Sequence, residues 1–166
     1  MKIIFFISLV LIASCSRGDH YQSSDRGNPE AFISNGERLY FTGVSISGLP
    51  VKAVGGSMSG MHQQMHGGGC ASCHGADREG QRLWPRFWIK APPLTTDGLF
   101  GIDDHGKASD GHGDHVSYDN DSLRLAITAG LDPAGKKLNR AMPRWSMSTG
   151  DMDDLIAFLK QSHDHD

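Results

Sequence analysis

The sequence predicts an all-α fold interrupted by long irregular loops. Three observations predict it. Helical apolar spacing runs through the last third of the chain, no stretch shows sustained strand alternation, and 21 of the 166 residues are Gly. So much Gly implies extensive irregular backbone, as expected when a bound group fills part of the core. The length suits one domain with appended segments. With 38% hydrophobic and 21% charged residues, a packed core can coexist with polar loops.

Residues 1–14, MKIIFFISLVLIAS, hold one Lys followed by an apolar run from Ile3 to Ile12. A bilayer-spanning helix needs about 20 residues, so this run is too short to span and suits a secretory signal. The small residues of LIASC lead directly into Cys15, which resembles a bacterial lipoprotein signal whose Cys becomes the lipidated first residue. An ordinary signal cut nearby would instead leave Cys15 as an odd free thiol. Residues 15–33 are polar, with Gly and Pro, and read as a tether behind that Cys.

In SNGERLYFTG, Ser34 or Asn35 can cap a helix, with Glu37 in capping-box spacing from Ser34. A short helix is expected over about 35–43. Residues 49–69, rich in Gly, Met and His, and 101–122, rich in Gly, Asp and His, read as loop insertions. SLRLAITAG (122–130) places Leu123, Ala126 and Ile127 on one face, with Asp119 to Asp121 at its start and Gly130 as its stop. In the last helix, expected over 148–161, Met152, Leu155, Ile156 and Leu159 fall at i, i+3, i+4 and i+7. Ser148 and Asp151 have cap spacing there, and Lys160 suits the negative end of the helix dipole. Residues 163–166 form a polar tail.

Charge narrows the partners. Once Lys2 leaves with the signal, 15 basic and 19 acidic side chains leave a net charge of −4. Nucleic-acid binding calls for a basic face, so that class is excluded.

The densest chemistry lies in MHQQMHGGGCASCHG, residues 61–75. Cys70, Cys73 and His74 have the C-x-x-C-H spacing of c-type haem attachment. Two thiols one helical turn apart can each form a thioether with a porphyrin vinyl group. The His after the second Cys then sits under the iron as the proximal ligand. Three other readings share these residues. A thioredoxin-type dithiol would sit near a β-α-β pattern, which is not visible. A Cys70–Cys73 disulfide leaves His74 unexplained. His62, His66, Cys70 and Cys73 make a nominal Cys2His2 zinc set, but zinc fingers separate their ligand pairs by about twelve residues or more. For a second axial ligand, LNRAMPRWSMS offers Met142, stiffened by the following Pro143, with Met147 as its rival. A thioether favours ferrous iron; equally, Met is a common gap-filler in cores.

With these residues in view, the chain resembles a class I monohaem cytochrome c of bacterial, lipoprotein type. NGERLY, CASCHGADREG, APPLT, LRLAITAGLDPAGKKLNRAMPRW and DLIAFLK carry the resemblance across most of the domain at 34–162. The resemblance implies a cytochrome c-like helical fold around one covalently bound haem c. It implies a crossing that brings Gly36 and Tyr40 onto the Leu155–Leu159 helix, with Phe158 at a position often aromatic. It implies that Pro92 accepts a hydrogen bond from His74 and that Met142 is the sixth ligand. Arg140 and Arg144 flank that Met, where they would neutralise haem propionates or serve as surface charge. Trp145 would pack as haem wall.

The expected function is one-electron transfer in a periplasmic or membrane-surface respiratory chain. The protein would be exported and lipid-anchored on the periplasmic side, with redox proteins as partners. With both axial positions filled, no enzyme activity is expected. Two other classes share these features: a small-ligand-binding haem protein with an open sixth site, and a metal-handling lipoprotein. The Met and His of MSGMHQQMH (58–66), including His62, Met65 and His66, would suit copper, or would be incidental in a Gly-rich loop. His105, His112, His115, His163 and His165 read as solvated side chains that titrate near neutrality.

Overall fold

The computed structural model describes residues 31–54, 68–83, 85–101 and 116–161. Five helices and two short strands form within them: α1 (Asn35–Thr42), β1 (Lys52–Val54), α2 (Ala71–His74), α3 (Thr96–Phe100), α4 (Asn120–Thr128), β2 (Arg144–Ser146) and α5 (Thr149–Leu159).

Each long helix starts where a side-chain oxygen satisfies an orphan N–H. Ser34 accepts from the Glu37 N–H at 3.1 Å, and Glu37 in turn accepts from the Ile33 N–H at 2.6 Å. Gly43, at φ 68°, then closes α1 by donating to Leu39 O. In α4 the cap is Asp119, with Ser122 completing a reciprocal capping box, so the helix begins two residues before the expected start at Ser122. Ser148 caps α5 by accepting from the Asp151 N–H at 3.1 Å.

α1 and α5 cross at Gly36. A Cβ there would overlap the Asp154 carbonyl oxygen and lie 2.8 Å from Phe158 Cβ, so only Gly permits this approach. The Tyr40 and Phe158 rings pack beside it with centroids 5.4 Å apart. Leu39, Tyr40, Leu155, Ile156 and Leu159 are all buried in the crossing's core. Its rim is polar: the Asn35 amide donates to Asp151 and Asp154 at 2.9 and 2.7 Å, and the Ser45 hydroxyl donates to Asp151 at 2.7 Å.

The sheet is an addition to the all-helical expectation. β1 and β2 pair antiparallel, with Ala53 opposite Trp145, and β1 lies inside the expected loop at 49–69. Burial alternates along β1, so Ala53 and Trp145 face the core while Lys52 and Val54 face solvent. Three residues are too few for such alternation to stand out in sequence. The remainder of both expected insertions, residues 55–67 and 102–115, and the leader through residue 30 lie outside the described residues, as does the 163–166 tail. No described helix is long and apolar enough to cross a membrane.

Candidate cofactor site

Helices and connecting segments line a partly open cavity of about 230 Å³ whose lining is largely apolar. Leu99, Leu123, Ile127, Leu155 and Leu159 form part of its wall, drawn from α3, α4 and α5. Cys70, Cys73 and His74 also line it. Their convergence follows from local geometry. Residues 70–74 make one helical turn, with the Cys73 and His74 N–H groups both donating to Cys70 O at 3.1 and 2.9 Å. Positions i, i+3 and i+4 of a turn share one face.

This turn is pinned to α1. Gly69 passes so close to α1 that a Cβ would overlap the Leu39 and Tyr40 carbonyl oxygens. The Tyr40 hydroxyl donates to Gly75 O at 2.7 Å, and Gly80 N–H donates to His74 O at 2.8 Å.

His74 is 7% exposed, and its Nδ1 lies 2.8 Å from Pro92 O. A carbonyl oxygen can only accept, so Nδ1 carries the hydrogen and Nε2 keeps its lone pair for a ligand. Burial favours the neutral imidazole and draws the His74 pKa below its ordinary value, outweighing the Pro92 bond, which raises it. No disulfide joins Cys70 and Cys73. Burial pushes Cys70 up to about 12, with Cys73 adding to the effect, and burial also raises Cys73 against a hydrogen bond from Ser72. Among the described residues no cluster of three His, Cys, Asp or Glu could hold a metal ion; His62 and His66 lie outside them.

Met142, Pro143 and Trp145 also line the cavity, whereas Met147 packs against the core cluster and does not. The Arg144 guanidinium donates to the carbonyl oxygens of Met142 at 2.7 Å and Leu138 at 3.4 Å. Arg140 is exposed and away from the cavity lining. Cys15, Met65, His105, His112, His115, His163 and His165 fall outside the described residues.

Arg78 has a structural role that its sequence context hides. It is 2% exposed and adopts a left-handed φ of 62°. Its guanidinium donates to Phe158 O and Gln161 O at 3.3 and 3.0 Å, closing the C-terminal end of α5, and stacks 5.2 Å from the Phe158 ring centroid. In CASCHGADREG it is indistinguishable from a solvated charge. A hairpin-like turn also forms where Leu83 N–H donates to Ile89 O at 2.9 Å; Leu83 and Ile89 line the cavity while Phe87 and Trp88 face solvent.

A family model for cytochrome c matches residues 62–163, well over half of the chain. The chain belongs to the cytochrome c family. No curated protein and no solved structure matches it. The cytochrome carries covalently bound haem c, and its single C-x-x-C-H is consistent with one haem per chain. The cavity suits that group: an apolar wall for the macrocycle, two thiols one turn apart, and an imidazole nitrogen freed by the Pro92 bond. The cytochrome is thus a haem-based electron carrier, with redox proteins as partners.

Proposed function

We propose that this cytochrome passes single electrons at the periplasmic side of a bacterial membrane, within a respiratory chain, using His74 and Met142 as axial ligands. One observation carries the reading: Cys70, Cys73, His74 and Met142, which are up to 72 positions apart in the sequence, all face one apolar cavity. When bound, haem supplies the one-electron chemistry. Cys70 and Cys73 hold it by thioethers, His74 offers Nε2, and Met142 offers its sulfur. Pro92 fixes the tautomer and orientation of His74. Leu99, Leu123, Ile127 and Trp145 exclude water, which stabilises the less charged reduced state. With both axial positions occupied by protein, no open site remains for a substrate, so the protein is a carrier and not an enzyme. Exported through its leader and lipidated at Cys15, the chain hangs from the membrane by the tether at 15–33.

The native ferric protein is expected to show a sulfur–iron charge-transfer band toward the red end of its spectrum. The band should disappear in Met142→Ala and persist in Met147→Ala and His66→Ala. A native spectrum of bis-His type, or loss of the band only in Met147→Ala, overturns the ligand assignment.

A further inference from the structure

We infer that Arg144 is a positioning residue for Met142, clamping the sixth-ligand segment to the end of α4 through a niche that Gly130 keeps open. This rests on the proposed ligation by Met142. Arg144 opens β2, where its backbone is paired opposite Val54. Its side chain turns back on its own segment, so that Nη1 donates to Met142 O at 2.7 Å and Nη2 to Leu138 O at 3.4 Å. The planar fork of guanidinium can hold two acceptors at once, which an ammonium cannot do with the same geometry. Among the described residues the guanidinium meets carbonyl oxygens and forms no ion pair.

Its seat is Gly130. A Cβ on that residue would fall inside the guanidinium, and the φ of 70° disfavours a side chain independently. Gly130 is itself fixed: its N–H donates to Leu125 O and Ala126 O at 2.8 and 3.1 Å, terminating α4, and its carbonyl accepts from Leu138 N–H at 2.8 Å. A cation is also favoured at the carbonyl end of a helix, and α4 has no basic residue in its own last turn. One guanidinium therefore joins three pieces: the end of α4, the turn from 130 to 138, and Met142. Two of the residues so held, Leu138 and Met142, line the cavity. Without the fork, the Met142 carbonyl loses its charged donor, and the sulfur's position is left to Pro143 and to the turn in which Met142 N–H meets Asn139 O at 3.2 Å.

The test uses the full haem-containing protein and imidazole as a competitor for the sixth position. Hydrogen bonds to charged groups set the scale, so Arg144→Leu should bind imidazole about ten- to a hundredfold more tightly than the native protein, with a weakened sulfur–iron band before any denaturant is added. Arg144→Lys keeps the charge but loses the fork and should move in the same direction. Gly130→Ala keeps Arg144 but displaces it, and should do likewise. Lys136→Leu, an exposed change in the same turn, should leave imidazole affinity unaltered. Native imidazole affinity in Arg144→Lys and Gly130→Ala overturns the clamp even if Arg144→Leu does not fold. An unchanged band in these variants overturns the clamp while leaving Met142 as the ligand. Absence of the band from the native protein overturns the ligation itself, and the clamp with it.

Discussion

Adding a single methyl group at Gly36 tests whether the α1–α5 crossing is as close as its geometry requires. In Gly36→Ala the new Cβ would overlap the Asp154 carbonyl oxygen and lie 2.7 Å from its carbon and 2.8 Å from Phe158 Cβ. Carbon atoms pack best at about 3.5–4.0 Å, so the helices must part by roughly an ångström. The Asp154 obstacle is backbone inside a helix and cannot rotate away as a side-chain tip would. Overpacking of this kind costs about 1–3 kcal/mol. Replacing Gly in a helix recovers at most about 1 kcal/mol, and less in the first turn, so the crossing decides the sign. Net destabilisation of about 1–2 kcal/mol is expected. The matched control is Gly150→Ala in the first turn of α5, where a Cβ would meet nothing within 4 Å. There the propensity gain stands alone, and the protein should become slightly more stable. Guanidinium unfolding of the ferric protein, followed in parallel by far-UV circular dichroism and haem absorbance, measures both. A Gly36→Ala midpoint at or above that of the native protein would refute the close crossing.

Acid should weaken this same crossing through Asp151. Burial raises its carboxyl pKa, but hydrogen bonds from Ser45, Asn35 and Ser148 outweigh that and leave it below the ordinary value. A depressed carboxyl contributes stability above the unfolded-state value near pH 4 and loses it as pH falls through the folded-state value. The stability gap between the native protein and Asp151→Asn should therefore shrink below about pH 4, as read from unfolding midpoints across an acid series; a gap independent of pH refutes the assignment. Acid–organic extraction should leave haem on the polypeptide, and should release it from the double variant Cys70→Ala, Cys73→Ala; free haem from the native protein would sink the thioether assignment. Mass spectrometry of the mature protein should find Cys15 as a lipidated first residue, and a start elsewhere or an unmodified thiol would refute the anchor.

Features written in consecutive residues were legible in the sequence. The stripe Met152, Leu155, Ile156 and Leu159 is buried in full because it forms the helix face turned to the core. CASCH was legible because its chemistry fits within a single turn. The sequence points to a start of α4 two residues late, because acidic residues before a helix suit its dipole without marking the cap, whereas the Asp119 side chain is the cap itself. What escaped depends on contacts between distant segments. Ala53 pairs with Trp145 across more than ninety residues, too few on each strand to leave a pattern. Arg78 is buried under the end of α5, although nothing near it in sequence marks it as buried. Gly130 is legible in the sequence as a helix stop, but its second role, making room for Arg144, depends on a side chain fourteen positions away.

Leu155 and Leu159 belong at once to the α1–α5 core and to the cavity wall. Stability and electron affinity are therefore parts of one thermodynamic cycle. Whatever free energy separates the folded protein's two oxidation states, relative to the unfolded chain, must appear equally as a difference in their resistance to unfolding. A substitution that loosens the crossing need not touch the cofactor to change its potential; it need only bear unequally on the two states through these leucines. The reverse also holds: wherever these leucines bear unequally on the two oxidation states, the grip of α1 on α5 depends on which state is present.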